Sequence, residues 1–548
     1  MDADLLIPSA KYIPEELQTI GKMPPVLYPL GSGIVVDYLY AQYKDHVRSI
    51  TIIGFEGFHL MEKKLTKNLY PKIKLTKLQT LNDLAHTIYE GLSDAPNEII
   101  INFGDTFVDE DYSTLGGDEF YYSKEIFSKY WTFFKEQNGV ISEIIDKPDD
   151  SKDVFEKMFC GVFRLSNQAY FKRCLLDSFV DDTSNCSKFY LALLKYNKKY
   201  PLKPKETNNW YDLGHLDKYI SSKTKVKTRE FNHISIDIDR GILRKTSKDK
   251  EKFIGEIEWY LKLPSDIEYC RPRIFTYSTS YAQPYIEMEY YSYRTIHELL
   301  LYGDLSYLQW KKVLEKVAFI RGDFSRYKVQ DDSIPTALKE MYLDKTISRI
   351  QLLSENSLFE KLFSKPIIVN GVKYKPLNEI IDYISKEIPS KLCNLHQFTI
   401  IHGDLCFTNM LIDDNYSFVK LIDPRGKFGK FDIYGDPRYD LAKLFHSVDG
   451  KYDFIIKNLF NLEFDKKNNK IDFKIDTPQK NLDLFNLMQI VFKDEIKDQM
   501  KNIEFIESLL FLSMIPLHNE NSKHQLAMLG TGLQILNRVV DIRSESSE

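Results

Sequence analysis

One stretch limits this chain more than any other. It runs Ile400-Ile401-His402-Gly403-Asp404-Leu405-Cys406-Phe407-Thr408-Asn409-Met410-Leu411 and resumes as Leu421-Ile422-Asp423-Pro424-Arg425-Gly426. Asp404 and Asn409 are five residues apart, and Asp423 follows fourteen residues after Asn409, at the end of an apolar run. Short apolar segments around the polar positions predict buried strands whose ends carry the polar groups. An ordinary Asp-rich loop between two strands would have the same flanks. The order Asp, Asn, Asp is also the order that phosphoryl transfer requires. One carboxylate, Asp404, takes the proton of an attacking hydroxyl, while an amide oxygen, Asn409, and a second carboxylate, Asp423, hold Mg²⁺ on the phosphates of ATP.

The chain has 548 residues, too many for one ordinary core, so two to four units are expected. Hydrophobic residues at 43% and charged residues at 28% fit a soluble globular protein. A net charge of −5 supplies no general basic field, so nucleic acid is not an expected partner. The six cysteines form no Cys-x-x-Cys pair, which argues against structural zinc and a disulfide framework and fits a reducing cytoplasm. The opening residues carry Asp2, Asp4, Glu15 and Glu16 where a signal peptide would be basic. No segment approaches the ~18 consecutive apolar residues of a membrane span. The expected partner is a small-molecule substrate, and the sequence specifies no oligomeric state.

The phosphotransfer stretch resembles the catalytic and metal-binding segments of the aminoglycoside phosphotransferase and choline kinase family. The resemblance implies an α+β, protein-kinase-like fold over about 226–548, with a small lobe at about 226–292 and a large lobe at about 293–548. Within the small lobe, Ile234, Ile236 and Ile238 alternate with Ser235, Asp237 and Asp239, the pattern of a half-buried strand. Ile242–Thr246 resumes a strand after the Arg240-Gly241 turn. Asp249 can cap a helix in which Phe253, Ile257, Tyr260 and Leu261 recur at helical spacing. Kinase-type sites hold the α- and β-phosphates with a strand Lys paired to a helix Glu. Lys245 is the candidate Lys, with Glu256 or Glu258 as its partner. No Gly-x-Gly-x-x-Gly is present. By the same likeness the adenine lies near Glu289–Tyr291, at the end of the alternating segment Gln283–Tyr290. Arg425 faces the phosphates or the substrate, or pairs with an acid. Asp440, in Tyr434-Gly435-Asp436-Pro437-Arg438-Tyr439-Asp440-Leu441-Ala442, is expected to cap a helix and brace the catalytic loop. Residues 461–480 read as a surface hairpin. His518 and His524 carry no assigned role.

The first part, 1–225, reads as strands alternating with helices: Asp4–Ala10, then Ser49–Gly54, then Glu98–Phe103. That pattern predicts an α/β, doubly wound, mostly parallel sheet, whose ligands sit at the carboxyl ends of the strands. Asp105 stands at such an end, in Asn102-Phe103-Gly104-Asp105-Thr106; alone it could equally be a turn or cap residue. Gly139-Val140-Ile141, Asp146-Lys147-Pro148, Cys160-Gly161-Val162 and Trp210-Tyr211-Asp212-Leu213-Gly214 follow in order. This series resembles the sugar nucleotidyltransferases, with Pro24-Pro25-Val26-Leu27-Tyr28-Pro29-Leu30-Gly31 at the place of the family's Pro-containing segment. The likeness implies that Asp105 and Asp212 hold Mg²⁺, that Lys147 meets the substrate phosphate, that Gly161 lines the sugar pocket, and that CTP or another nucleoside triphosphate is bound. One departure stands out. The family's Gly-rich loop is replaced by Ala10-Lys11-Tyr12-Ile13-Pro14-Glu15, with Glu15 at the place of an Arg and Pro25 at that of a Lys. Lys11 or Lys22 is left to meet the phosphates. A kinase product is the natural substrate of a nucleotidyltransferase, so the pairing suggests synthesis of an activated building block; that it serves a surface or capsular polysaccharide is what the family resemblance alone implies. The alternative is a kinase fused to a non-catalytic binding module.

Overall fold

The computed structural model describes residues 3–30, 33–67, 69–124, 131–147, 157–181, 186–215, 219, 232–237, 239–303, 305–477 and 482–544. The expected linker at 221–229, Gly31, Pro148, Ile238 and the tail at 545–548 lie outside these residues. The chain forms two compact units, Met1–Lys227 and Thr228–Glu548.

The first unit is built on a nine-stranded sheet. Its strands are β1 (Asp4–Ser9), β2 (Ile50–Gly54), β3 (Ile73–Lys77), β4 (Ile99–Asn102), β5 (Glu119–Lys124), β6 (Thr132–Gln137), β7 (Val140–Asp146), β8 (Lys157–Leu165) and β9 (Lys203–Glu206). Leu5, Leu6 and Ile7 of β1, Ile52 and Ile53 of β2 and Ile99 to Ile101 of β4 are all buried, as continuous apolar runs in a covered parallel sheet must be. β4, β1, β2 and β3 lie side by side and pair in parallel. β8 joins β4 antiparallel and carries β5 and β6 beside it, so the sheet is mixed: parallel on one side, mainly antiparallel on the other. Chain direction through the sheet reverses at β1, which has β2 on one side and β4 on the other. Such a switch point opens a crevice past the strands' carboxyl ends. Ser9 and Gly104 meet there: the Gly104 N–H donates to Pro8 O at 3.2 Å, and a Cβ on Gly104 would lie 2.8 Å from that oxygen. Asp105 follows immediately.

The second unit opens with a four-stranded antiparallel sheet: β10 (Asn232–Asp237), β11 (Ile242–Ser247), β12 (Ile274–Ser278) and β13 (Tyr285–Glu289), in the order β10-β11-β13-β12. Helix α1 (Lys250–Lys262) lies between β11 and β12 in sequence and is capped by Asp249, which accepts from Lys252 N–H. Phe253, Glu256, Ile257 and Tyr260 form its buried stripe at i, i+3, i+4 and i+7. The larger lobe is mostly helical and includes α2 (Tyr307–Ser325), α3 (Lys345–Leu352), α4 (Leu377–Leu392), α5 (Pro437–Val448), α6 (Met500–Met514) and α7 (Ser522–Val539). The hairpin expected near 461–480 is present as Phe460–Asp465 and Lys470–Ile475, and its second strand pairs in parallel with Ile367–Val369. Among the described residues no helix is long and apolar enough to cross a membrane.

Helix α5 corrects one expectation. Its cap is Asp436, not Asp440: the Asp436 carboxylate accepts from Arg438 N–H at 2.9 Å, with Pro437 at the first helical position. Asp440 lies one turn inside and turns toward the catalytic loop. Asp436 is fully buried, accepts from Tyr342 Oη at 2.8 Å and pairs with buried Arg438, whose Nη2 also donates to Leu392 O. Removing one partner of a buried pair strands the other charge. Asp436→Ala is therefore expected to cost about 3–5 kcal/mol, read as a lowered urea midpoint. Surface Asp332→Ala should leave the midpoint nearly unchanged.

Candidate active site

Two stitched loops assemble the phosphotransfer residues of the second unit. The strand Met410–Ile412 pairs antiparallel with Val419–Leu421, placing Asn409 and Ile422 side by side; Ile422 N–H donates to Asn409 O at 3.0 Å. A second backbone bond, Arg425 N–H to His402 O at 3.0 Å, ties the segment before Asp404 to the one after Asp423. His402 fills the space between them. Its Nε2 donates to Ile422 O at 3.0 Å and its Nδ1 accepts from Asp404 N–H at 3.3 Å, so it works as a neutral imidazole. Burial pushes its pKa down, in keeping with that state. From below, Asp440 accepts the His402 and Gly403 N–H groups at 2.8 and 2.9 Å. The loop's conformation thus rests on a carboxylate at the first turn of α5.

Asp404 lies on top of this platform with 41% of its side chain exposed. Its Oδ1 is 2.9 Å from the Lys443 ammonium, and its Oδ2 accepts Asn409 Nδ2 at 3.1 Å. Burial works against its charge, but Lys443, then His402 and Arg425, hold its pKa well below the usual carboxylate range. Asp404 is therefore ionised at any physiological pH and can accept a hydrogen bond from a hydroxyl. Asn409 Nδ2 also donates to Asp404 O at 2.9 Å, which spends the amide nitrogen on the loop. The amide oxygen has only a long 3.4 Å contact from Thr408 Oγ1. Asp423 adopts a left-handed backbone, φ 55°, with half of its side chain exposed. An amide oxygen and an exposed carboxylate are hard oxygen donors that suit Mg²⁺.

Lys245 connects the lobes. Its ammonium, on a residue 2% exposed, is 2.7 Å from Glu256 Oε1 and 2.7 Å from Asp423 Oδ1. Burial disfavours its charge, yet the two carboxylates raise its pKa above the ordinary lysine value. Of the two candidate partners, Glu256 occupies the buried stripe of α1, while Glu258 faces out and pairs with Lys262. Tyr260 Oη accepts Asp423 N–H at 3.0 Å, and Trp259 Nε1 donates to Ile401 O at 2.8 Å. Gly426 packs on Gly255 so closely that a Cβ would lie 2.2 Å from the Gly255 carbonyl carbon. Glu289 ends β13, where its own N–H and that of Tyr290 are bonded to Arg273 O and Gly241 O. Its carboxylate accepts from Tyr291 Oη at 2.7 Å, so the side chain closes on its own strand. Among the described residues Arg425 forms no ion pair with an acid; its Nη1 donates to Tyr439 Oη at 3.0 Å.

In the first unit, Asp105 and Asp212 meet past the switch point. Leu213 N–H donates to Asp105 O at 2.8 Å, and a Cβ on Gly214 would lie 2.9 Å from Asp105 Oδ2 and 3.4 Å from Asp212 Oδ1. Burial, then the Asp212 charge, pushes the Asp105 carboxyl up to about 6. Two crowded carboxylates are what a divalent cation would relieve. Asp212 already accepts from Gly214 N–H, Trp131 Nε1 and His215 Nδ1, and the hydrogen bond to Asp212 raises the His215 pKa. Gly161 is buried with φ 79°, and a Cβ there would strike the Phe103 ring at 2.8 Å. Lys147, with φ 43°, and Lys11 are both exposed. The segment after β1 is occupied by its own side chains. Tyr12 N–H donates to Glu56 Oε2 at 2.7 Å, and a Cβ on Gly57 would touch the Tyr12 ring and Pro24. Glu15 begins a short 3-10 helix, Glu15–Ile20, in place of a Gly-rich loop, and Pro25 begins another. Sequence reasoning missed Lys443, Trp259, Tyr260 and Glu56. Lys443 had a signal, because it follows Asp440 by one helical turn and so shares its face.

No protein-family model matches the chain, and no curated protein does. Solved structures do. Over the first unit these include the CTP:phosphocholine cytidylyltransferase of Streptococcus pneumoniae (13% identity, TM-score 0.35, covering 41% of this chain and 100% of that one). Another is the inositol-1-phosphate CTP transferase of T. maritima (14%, 0.33, 41% and 98%). Over the second unit, an ADP-bound aminoglycoside phosphotransferase matches (14%, 0.34, 57% and 93%).

Gly426 gives a direct check on the inter-lobe contact. At φ 84° and against Gly255, an alanine is both strained and too large. Gly426→Ala should separate α1 from the Asp423 loop and weaken ATP binding at least ~10-fold, about 1.4 kcal/mol. Calorimetric titration with ATP measures this; Gly371→Ala, in an open turn, is the control.

Proposed function

We propose that the second unit transfers the γ-phosphoryl group of ATP to a hydroxyl of a small molecule. The observation that carries this reading is the convergence of Lys245, Glu256, Asp423, Asn409 and Asp404 where the two lobes meet, joined by the bonds given above. Asp404 accepts a hydrogen bond from the acceptor hydroxyl and fixes its direction. The hydroxyl oxygen attacks the γ-phosphorus, the bond to the β–γ bridging oxygen breaks, ADP leaves, and the proton passes to Asp404. Because Lys443 keeps the Asp404 carboxylate weakly basic, its role is mainly orientation, with proton transfer late, as a loose transition state allows. Lys245 meets the α- and β-phosphates. Asn409 and Asp423 are the residues that would hold Mg²⁺, whose chemistry is to neutralise the phosphate oxygens.

For the first unit the proposed reaction is nucleotidyl transfer. The phosphate of the phosphorylated product attacks the α-phosphorus of CTP or another nucleoside triphosphate, and pyrophosphate leaves. Asp105 and Asp212, at the switch point, are the residues that would hold the cation. The two reactions together would make an activated precursor of a surface or capsular glycan in the cytoplasm. A second reading keeps the kinase and makes the first unit a binding module. The Glu56–Tyr12 contact favours it, because a carboxylate and a ring fill the place where backbone N–H groups would receive phosphates.

Phosphorus NMR with Mg²⁺, ATP, CTP and a pool of sugars, sugar acids and amino alcohols tests both units. The expected result is a new phosphomonoester signal that Asp404→Asn lowers at least ~100-fold. Added diester signals with pyrophosphate support transfer by the first unit, and a monoester alone supports the binding-module reading. No monoester from any acceptor overturns the kinase assignment.

A further inference from the structure

Basic side chains gather beside Asp404. Arg425 packs on Gly403, next to Asp404: a Cβ on Gly403 would lie 2.7 Å from Arg425 Cβ. Its guanidinium is fixed by Tyr439 Oη at 3.0 Å, one turn before Lys443 on α5. Lys345 and Arg349 lie four residues apart on α3 and so share a face. The ring of Tyr342, one turn before Lys345, lies 6.2 Å from that of Tyr439, so the start of α3 stands beside the residue that holds Arg425; after burial, the charges that act on Lys345 are those of Arg425, Arg349, Lys443 and Asp404. That carboxylate is already paired with Lys443. Among the described residues, Lys345, Arg349 and Arg425 form no ion pair with any acid. Arg349 is held only by a 3.4 Å bond to Ser513 O. The turn leading into α3, Glu340–Asp344, is a π-helix, a distortion found most often at functional sites.

Like charges gathered without counter-ions are unfavourable unless a ligand supplies the opposite charge. Burial, followed by the charges of Arg425, Arg349 and Lys443, pushes the Lys345 pKa down to about 6, so an arriving anion would also favour protonation of its amine. Arg349 shifts downward too, mainly through burial and then Arg425. The nucleotide phosphates have their own cation in Lys245, whose partners are Glu256 and Asp423.

We infer that the group Lys345, Arg349 and Arg425 binds an anionic substituent, a carboxylate or a phosphate, on the acceptor whose hydroxyl is phosphorylated at Asp404. This rests on the kinase reading above and names its substrate class: a hydroxy acid, sugar acid or sugar phosphate, and not an amino alcohol or polyamine. A planar guanidinium suits either anion through paired N–H donors.

The test measures phosphoryl transfer from MgATP to three pools: glycerate, glucuronate and glucose 6-phosphate; glycerol and glucose; choline, ethanolamine and kanamycin. Transfer confined to the anionic pool is expected. Lys345→Gln and Arg349→Gln should each raise the acceptor KM ten- to a hundred-fold while leaving the KM for ATP within about two-fold. Arg349→Lys should recover part of the loss. Transfer to the neutral or cationic pool, or an acceptor KM unmoved in both variants, overturns the inference. So does the absence of any transfer while calorimetry still shows MgATP binding. Absence of MgATP binding instead overturns the kinase reading beneath it.

Discussion

The second unit depends on one buried ammonium. Lys245 comes from the strand of the small lobe, Glu256 from the helix behind it, and Asp423 from a loop of the large lobe. A lysine 2% exposed would be costly if unpaired, and two carboxylates at 2.7 Å remove that cost only when the lobes are together. The same contact therefore joins the lobes and fixes Lys245, the residue proposed to meet the nucleotide. The surrounding packing serves it. Gly426 lets the loop backbone lie on Gly255, Tyr260 receives the Asp423 N–H, and Trp259 reaches the Ile401 carbonyl just before the catalytic loop.

A second support comes from below. Asp440 accepts two backbone N–H groups of the loop, and Lys443, one turn further along α5, faces Asp404. One helix thus fixes the loop's shape and sets the charge state of its carboxylate. The helix start is in turn held by Asp436, Arg438 and Tyr342, all buried. The loop that carries Asp404 is thus braced by a helix, and a braced loop places its groups more precisely than a free one. The first unit differs. Its carboxylates meet at a proper switch point, but the segment facing them is packed with Tyr12, Glu56 and Pro24 in place of bare backbone.

Much of this was legible locally. Asp404, Asn409 and Asp423 lie within twenty residues on strand ends, so sequence order alone brings them close. Three parallel strands of the first unit, β1, β2 and β4, were readable because each is a mostly apolar run, whereas β3 (Ile-Lys-Leu-Thr-Lys) and β9 (Lys-Pro-Lys-Glu) carry no such run. The choice between Glu256 and Glu258 was open on spacing to Lys245, although the stripe Phe253, Ile257, Tyr260 selects Glu256 once helix phase is followed. Asp440 was assigned as the cap because it begins the apolar part of α5, while Pro437 marks Asp436 as the residue before the first turn. The hairpin at Phe460–Ile475 was visible, but its pairing with Ile367–Val369 was not, since a parallel register over a hundred residues leaves no local trace. The same holds for Lys345 and Arg349: neither belongs to a motif, and only the tertiary contact of Tyr342 with Tyr439 brings the start of α3 beside Arg425.

The central claim is that Asp423 and a cation form the nucleotide site together. Calorimetric titration of ATP into the wild type and Asp423→Ala, each with Mg²⁺ and with chelator, tests it most directly. The account predicts that chelation and the substitution each weaken ATP at least ~10-fold, about 1.4 kcal/mol, and that the two losses do not add. Equal ATP affinity in all four titrations would contradict it.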